Sequence, residues 1–212
     1  MIIKLENKPF DLIFVHIQKS GGSSIVKYFN TRKSHNKISQ DVKEIKKNKE
    51  KLKNYFKFTV VRNPWDRMVS FFHYHKERIR GGYPIAHWEY IKNLNFGEFL
   101  KSVPFQKWAI KNNITDYIFY KKKPLIDCYL NFENLNKDFQ LIKKISGIYN
   151  KFPHVNAVHH RDYKKYFKKE DNLKIIKDFF HKEIEFFNFE FGEKTSLKKL
   201  NSKDIIVKFM KK

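Results

Sequence analysis

A short segment near the start of the chain has the residue types of an anion-binding loop: Lys19-Ser20-Gly21-Gly22-Ser23-Ser24. Glycines let the backbone turn tightly, so that its N–H groups can approach an anion closely. The lysine adds a full positive charge and the serines add hydroxyl donors. The lysine comes before the glycines, whereas in a Walker A loop it follows them. We therefore predict a phosphate-binding loop of another kind, with a plain strand-to-helix turn as the alternative.

A second group of basic and hydroxyl side chains follows further along the chain, between Val60 and Ser70. A guanidinium such as that of Arg62 can bind a phosphate through parallel hydrogen bonds, and the Ser70 hydroxyl can complete the site. Open α/β sheets bind ligands where strands end, and Arg62 stands where a predicted strand gives way to a helix. The alternative is that Arg62 and Arg67 only pair with Asp66 at the surface.

A histidine between the two motifs is the candidate general base. His35 is the only histidine there, and imidazole suits proton abstraction because its unperturbed pKa is close to neutrality. A surface-loop histidine without a catalytic role is the alternative. His16, at the end of a predicted strand, is expected to be structural, with substrate contact as the alternative. His154, His159 and His160 lie close in sequence but match no zinc-binding spacing, so we predict no metal site.

The elements that carry these residues follow the order of an α/β protein. Apolar runs at 12–17 and 56–61 are typical of strands buried on both faces. Apolar residues at helical spacing predict two helices between these strands, the second of them over 38–52. Asn63-Pro64, an N-cap followed by proline, predicts a third helix that ends at Gly81-Gly82. This β-α-α-β-α order favours a parallel α/β sheet.

The rest of the chain shows less regular patterns. We predict strands at 117–120 and 125–132, helices at 135–145 and 173–187, and a basic tail or terminal helix at about 193–212. The sequence has no internal repeat and no linker rich in proline, glycine or serine. We therefore predict a single domain over 1–212.

The charge of the chain is strongly one-sided, with 45 Lys and Arg against 22 Asp and Glu and a net charge of +23. Such a chain attracts anionic ligands, among them nucleotides, acidic glycans and nucleic acids. Hydrophobic residues make up 41%, which excludes a disordered polyelectrolyte. Its abundant lysine also fits solvated surfaces, so the charge alone does not choose among these ligands.

Cysteine content and hydropathy suggest the cellular compartment. Cys128 is the only cysteine, so no intrachain disulfide can form, and its apolar surroundings predict a buried, unreactive thiol. No apolar stretch approaches the length of a membrane span, and the first residues lack the form of a signal peptide. We therefore predict a cytoplasmic protein.

The two motifs, in this order, resemble those of sulfotransferases that use 3′-phosphoadenosine-5′-phosphosulfate (PAPS). Residues 14–24 resemble the 5′-phosphosulfate loop of that family, and residues 61–70 resemble its 3′-phosphate motif. The resemblance is closer to the carbohydrate branch, which includes the heparan sulfate 2-O-sulfotransferases and small bacterial relatives. Weaker similarities lie at 131–135 and at Asn156 together with 161–166.

The resemblance implies a three-layer α/β fold, in which helices flank a parallel sheet related to that of nucleotide kinases. It implies sulfuryl transfer from PAPS to a hydroxyl or amine of an acceptor, expected to be a glycan or glycoconjugate, with PAP as product and no metal. In that family's arrangement Lys19 would stabilise the leaving phosphate, His35 would be the base, with His16 as the alternative, and Arg161 would close over the nucleotide. The residues expected to hold the donor are Lys19, Ser20, Gly21, Gly22, Ser23, Ser24, Arg62, Ser70 and Arg161.

Two other functions stay open as alternatives. A P-loop-type phosphotransferase would need the Gly-Lys-Ser/Thr order and an acidic Mg²⁺ ligand after a strand, and neither pattern is clear in the sequence. A basic nucleic-acid-binding module fits the charge and the many aromatic residues, although no RRM, KH or helix-turn-helix signature is present. The sequence predicts no specific nucleic-acid partner and gives neither the acceptor nor the oligomeric state.

Overall fold

The computed structural model describes residues 1–83, 88–155, 162–193, 197, 201 and 203–211. The chain divides into two compact units: Met1–Arg62, Ile114–Asn156 and Ser196–Lys212 form the first, and Asn63–Asn113 and Ala157–Thr195 form the second. The single domain over 1–212 stays a prediction. None of the helices in the described ranges is long and apolar enough to cross a membrane.

The described part of the chain begins with two strands, and groups of helices then come between the later strands or groups of strands. In chain order they are β1 (Ile2–Ile3), β2 (Asp11–Val15), α1 (Gly22–Tyr28), α2 (Ile38–Lys47), β3 (Tyr55–Val61), α3 (Pro64–Arg80), α4 (Phe96–Lys101), α5 (Val103–Ala109), α6 (Ile114–Ile118), β4 (Phe119–Tyr120), β5 (Lys123–Pro124), β6 (Cys128–Asn131), α7 (Leu135–Ser146), α8 (Glu170–Phe187) and α9 (Lys203–Met210). Short 3-10 turns cover Leu52–Asn54, Glu89–Asn93, Phe132–Asn134 and Tyr163–Tyr166.

The first unit contains a four-stranded sheet in the order β1-β2-β3-β6. β2, β3 and β6 are parallel, and only the two-residue edge strand β1 runs antiparallel to its neighbour. All seven residues of β3 are buried, as expected for a central strand covered on both faces. This parallel-rich sheet flanked by helices confirms the predicted α/β class.

A buried ion pair holds β3 and β6 together at the start of the parallel pairing. Lys57 Nζ lies 2.6 Å from Asp127 Oδ2, and the Lys57 backbone N–H donates to the same carboxylate at 2.8 Å. Burial raises the pKa of Asp127 despite the neighbouring ammonium. Because both charges are nearly out of water, neither can lose its partner without leaving an uncompensated charge in the core.

An aromatic-rich core packs the helices of the first unit against its sheet. Phe139 on α7 lies edge-on to Tyr28 on α1, with ring centroids 4.9 Å apart. The basic C-terminal region contains α9, from which Phe209 contacts Phe10 and Phe56 at 4.6 and 5.3 Å between centroids. A terminal helix, one of the two predicted forms of this region, is therefore present.

The second unit consists of helices α3, α4, α5 and α8 with short 3-10 turns. Asn63 caps α3 by accepting a hydrogen bond from the Trp65 N–H at 3.1 Å, and Pro64 is its first residue. Inside this unit Arg67 Nη2 lies 2.6 Å from Glu183 Oε1, and these side chains are 1% and 0% exposed. The alternative in which Arg67 pairs only with Asp66 at the surface is wrong, because this guanidinium is buried in the core between α3 and α8.

Several predicted boundaries differ from the observed ones. The predicted strand at 117–120 is wrong in its first half, because residues 114–118 form α6 and only Phe119–Tyr120 pair with β5. A short apolar run does not distinguish a buried helix from a strand. The strand predicted at 12–17 ends at Val15, and the helix predicted over 38–52 ends at Lys47. The strand predicted at 125–132 is confined to Cys128–Asn131, and the sequence patterns gave no sign of α4 or α5.

Candidate functional site

The candidate site lies in the first unit, at the carboxyl ends of its three parallel strands. Val15 of β2 and Val61 of β3 are near the ends of neighbouring strands, and Val61 pairs in register with Asn131 of β6. The segments that follow these strands therefore emerge at one edge of the sheet. That edge is where open α/β folds bind their ligands.

The predicted anion-binding loop between β2 and α1, residues 19–24 and here called the anion loop, takes an uncommon backbone path. Lys19 has a φ of 63° and Gly21 a φ of 77°. The left-handed region is unfavourable for a lysine, and such strain tends to be found at functional sites. At Gly21 a side chain would also meet a neighbour, because an added Cβ would lie 2.8 Å from Leu135 Cδ2. The loop is thus fixed both by its own conformation and by the segment after β6.

The serines of the loop differ in their partners. Ser20 is 1% exposed, and its Oγ is buried with no hydrogen-bond partner in the described residues. Ser24 Oγ accepts a hydrogen bond from the Val155 N–H at 3.1 Å, so its own hydrogen stays available for donation. Ser23 is half-buried in the first turn of α1. A buried hydroxyl without a partner is costly in a folded protein, and a bound anion would satisfy it.

Arg62 joins the loop to the other two strands. Its guanidinium lies 4.0 Å from the centroid of the Phe132 ring, and its Nη1 donates to the carbonyl oxygen of Lys19 at 2.9 Å. The residue is 6% exposed. The alternative in which Arg62 lies at the protein surface is therefore wrong, and the arginine side chain contacts the anion-loop backbone directly.

Two histidines meet beside this loop. The ring centroids of His16 and His35 are 4.2 Å apart, and His35 Nδ1 donates to the backbone carbonyl oxygen of His16 at 3.1 Å. A carbonyl oxygen can only accept, so Nδ1 carries the proton and the lone pair of neutral His35 is on Nε2. His35 precedes α2, as predicted, in a segment without regular secondary structure.

The two rings differ in burial and in their readiness to gain a proton. His16 is 3% exposed, and burial, followed by the charges of His35 and Lys33, lowers its pKa to about 2. Burial also lowers the pKa of His35, while its hydrogen bond to the His16 carbonyl opposes that effect. Both rings are therefore neutral near pH 7, and only His35 is partly open to solvent.

The described residues include most of the predicted site. Lys19, Gly21 and Arg62 are brought together by the contacts above, whereas Ser70 lies buried on α3 in the second unit. Arg161, with Asn156, His159 and His160, lies outside the described residues. Within the described ranges no group of three His, Cys, Asp or Glu side chains could hold a metal ion. The roles assigned to the site residues stay predictions.

Sequence reasoning missed two contributors to the site. Phe132 and Leu135, whose side chains contact Arg62 and the loop, were predicted only as parts of a strand, a helix and the weak similarity at 131–135. The contact of His16 with Gly22 was not predicted: a Cβ on Gly22 would come within 2.8 Å of His16 Cγ and closer still to the outer ring atoms. A histidine six residues before a glycine in a tight loop was the only available signal.

Burial also confirms the prediction for the single cysteine. Cys128 is 0% exposed on β6, and burial, with a smaller contribution from Asp138 and Asp127, raises its pKa to about 12. A thiol that stays protonated is a poor nucleophile. Cys128 therefore belongs to the core and not to the site.

Comparison with known proteins agrees with the two motifs. A family model described as "Sulfotransferase family" matches residues 6–190. This range includes the loop after β2, the turn between β3 and α3 and the segment after β6. A search of curated proteins gives no significant match.

Proposed function

The chain belongs to the sulfotransferase family, and on that premise we propose that it transfers a sulfuryl group from PAPS to a hydroxyl or amine of an acidic carbohydrate. The observation that carries the proposal is the hydrogen bond from Arg62 to the Lys19 carbonyl, 2.9 Å long. This bond joins the residues of two separate anion-binding motifs at one edge of the sheet. A donor with phosphate groups at both its 3′ and 5′ positions matches such a pair of motifs.

The loop supports binding of the 5′-phosphosulfate. The Lys19 side chain, the Ser20 hydroxyl and the N–H groups of the turn supply positive charge and donors. Ser20 Oγ is buried without a partner among the described residues, so an oxygen of the donor would satisfy it. The 3′-phosphate is assigned to Arg62 and Ser70, and Arg161 is proposed to close over the nucleotide.

The chemistry requires one bond to form as another breaks. The acceptor oxygen or nitrogen attacks sulfur in line, and the bond between sulfur and the 5′-phosphate oxygen breaks to release PAP. The acceptor proton passes to Nε2 of His35, which the hydrogen bond at Nδ1 leaves as the basic nitrogen. Lys19 meets the charge that develops on the leaving phosphate oxygen. The burial of His16 favours His35 over His16 as the base.

The surroundings of His35 support an acidic acceptor. Arg32, Lys33 and Lys37 lie within three residues of it, and residues 31–37 contain no acidic side chain. Arg32 and Lys33 are exposed. A net charge of +23 would raise the local concentration of a polyanion around the molecule. A carbohydrate with carboxylate or sulfate groups is therefore favoured over a neutral one.

Ligand-dependent thermal unfolding tests the donor site. Binding to the native state raises apparent stability by mass action. We expect PAP to raise the melting temperature of the wild-type protein, with little response to 5′-AMP or ATP and none in Lys19→Ala. An equal response to ATP would favour a phosphotransferase, and binding to DNA or RNA with a steep salt dependence but no response to PAP would favour a nucleic-acid-binding module.

Transfer itself is tested with radiolabelled PAPS and a panel of acceptors. Heparan sulfate and chondroitin sulfate represent acidic glycans, and dextran serves as the neutral control. We expect label on an acidic glycan, and a loss on the order of 10²- to 10⁴-fold in turnover for His35→Ala with PAP binding retained. Normal turnover in His35→Ala would exclude His35 as the base, and transfer only to dextran would exclude an acidic acceptor.

A further inference from the structure

His16 is a buried histidine to which the proposed reaction assigns no part. Its side chain is 3% exposed, and its Nδ1 is buried with no hydrogen-bond partner in the described part of the chain. Polar ring atoms are seldom left in such a position without a reason. The contacts of its backbone and of its ring show which neighbouring residues His16 positions.

A hydrogen bond connects the main chain of His16 to the His35 ring. The backbone carbonyl of His16 accepts from His35 Nδ1 at 3.1 Å, and the backbone of Ser34, the residue just before His35, is close enough to the His16 ring to raise its pKa against the larger effect of burial. Because Nδ1 of His16 has no partner in the described residues, Nε2 is the ring nitrogen available to the Ser34 backbone. His16 therefore lies against both the His35 ring and the main chain beside it.

Packing adds a third restraint. The His16 ring stacks at 5.5 Å from Phe14 and lies 4.2 Å from the His35 ring, centroid to centroid. Its other neighbour is Gly22, where the absence of a side chain leaves the space that the imidazole fills. The ring therefore sits between the start of α1, which belongs to the anion loop, and the proposed base.

We propose that His16 is a positioning residue, which holds His35 in the Nδ1–H tautomer and at a fixed place relative to the anion loop. This inference rests on the proposed function, since it takes His35 as the base. His16 does not exchange a proton with the acceptor. It orients the group that does, in the way that second residues behind catalytic and metal-bound histidines set their tautomer and direction.

The charged groups around the pair determine how pH reports on this role. Besides burial, the charges of His35, Lys33 and the N-terminal ammonium lower the pKa of His16, and the charge of Lys33 lowers that of His35. Burial is the main reason that the pKa of His35 is low. If the His16 ring no longer packs against His35, water reaches the His35 ring and its pKa rises towards its ordinary value. The acidic limb of the rate profile then moves to higher pH.

Three variants separate a positioning role from a purely structural one. His16→Phe keeps a flat ring but removes the ring nitrogens beside Ser34, and His16→Gln keeps an N–H donor near the place of Nε2. With labelled PAPS and heparan sulfate, we expect His16→Phe to lower kcat about 10²-fold, with PAP binding unchanged and the acidic limb moved up in pH. His16→Gln should recover much of the loss. In the background of His35→Ala the same His16→Phe change should have little further effect, because the two residues act as one unit.

The outcomes distinguish this proposal from the function on which it rests. Failure of PAP to bind the wild-type protein would overturn the proposed function. Two outcomes would overturn the positioning role alone, if PAP binds and His35→Ala is impaired. In the first, His16→Phe has full activity. In the second, His16→Phe lowers the activity of the His35→Ala variant by the same factor as that of the wild type.

A measurement on the unmodified protein does not depend on any variant folding. Long-range ¹H–¹⁵N NMR spectra of the histidine rings report the tautomer of each neutral imidazole. We expect the Nδ1–H form for His35 and the Nε2–H form for His16, with His16 still neutral where His35 has become charged. A His35 ring in the Nε2–H form, or a His16 ring that titrates with His35, would overturn the proposal.

Discussion

Substitution of Gly22 by alanine would test the packing that links the anion loop to the histidine pair. Gly22 is the first residue of α1 and has ordinary helical geometry, so alanine would be compatible with its backbone. An added Cβ, however, would overlap the His16 imidazole, reaching within 2.8 Å of its Cγ and closer to the atoms beyond. Because His16 is buried on all sides, the ring cannot move away without displacing its neighbours.

The expected loss of stability is that of forcing extra atoms into a packed interior. Such substitutions typically destabilise a protein by about 1–3 kcal/mol. For a chain of this size each kcal/mol lowers the melting temperature by roughly 2–4 °C, so Gly22→Ala is expected to melt about 2–12 °C below the wild type. Displacement of His16 should also lower turnover, since His35 donates to its carbonyl.

Two controls make the measurement specific. Gly81, at the C-terminus of α3, has a φ of −78°, and the nearest atom to an added Cβ would be Tyr83 Cδ2 at 3.4 Å. Gly81→Ala should therefore change stability by less than about 0.5 kcal/mol. In a His16→Ala background the space is vacant, so Gly22→Ala should cost much less there. Calorimetry that finds equal costs for Gly22→Ala in both backgrounds, or no cost at all, would refute the packing argument.

Three further measurements address pH, the second unit and the core. The rate of transfer should fall on acidification through an apparent pKa below 6.5, because burial lowers the pKa of His35 and its neutral form is the proposed base. An acidic limb centred above 6.5 would contradict this. Glu183→Ala leaves the Arg67 charge buried and should lower the free energy of unfolding, measured with denaturant, by about 3–5 kcal/mol. The double variant Arg67→Met with Glu183→Leu should recover most of this loss. A double variant no more stable than Glu183→Ala would contradict the expectation. Cys128 should not react with a disulfide reagent at pH 8 until the protein is unfolded, because burial raises the pKa of its thiol to about 12. Rapid labelling of the folded protein would show instead that the thiol is accessible.

Local patterns were sufficient for the elements that carry the two motifs. The strand before the loop, the N-cap and proline at the start of α3, and the position of Arg62 directly after β3 each depend on residues close in sequence. Helix capping and continuous burial act over a few residues, so a linear reading can recover them. The same holds for the unreactive Cys128, whose apolar neighbours already indicated a core strand.

Contacts between distant segments were beyond the reach of such patterns. The stacking of Arg62 on Phe132 joins residues that are 70 positions apart, and the pairing of Arg67 with Glu183 joins residues 116 positions apart. The sequence near Arg67 contains a suitable acid in Asp66, so a local argument could offer only a surface pair as its alternative and did not point to Glu183. Whether a charge is buried depends on which surface covers it, and that is a property of the fold.

The sequence by itself determined the β-α-α-β-α order from β2 to α3, the prediction of an anion-binding loop and the choice of His35 as a candidate base. Each of these follows from residue type and short-range spacing. Only the tertiary structure decided that the His35 ring donates to the His16 carbonyl, that a side chain on Gly22 would overlap the His16 ring, and that Arg62 contacts the loop backbone. These features arise because parallel strands bring their carboxyl ends to one edge of the sheet, where residues far apart in sequence come into contact.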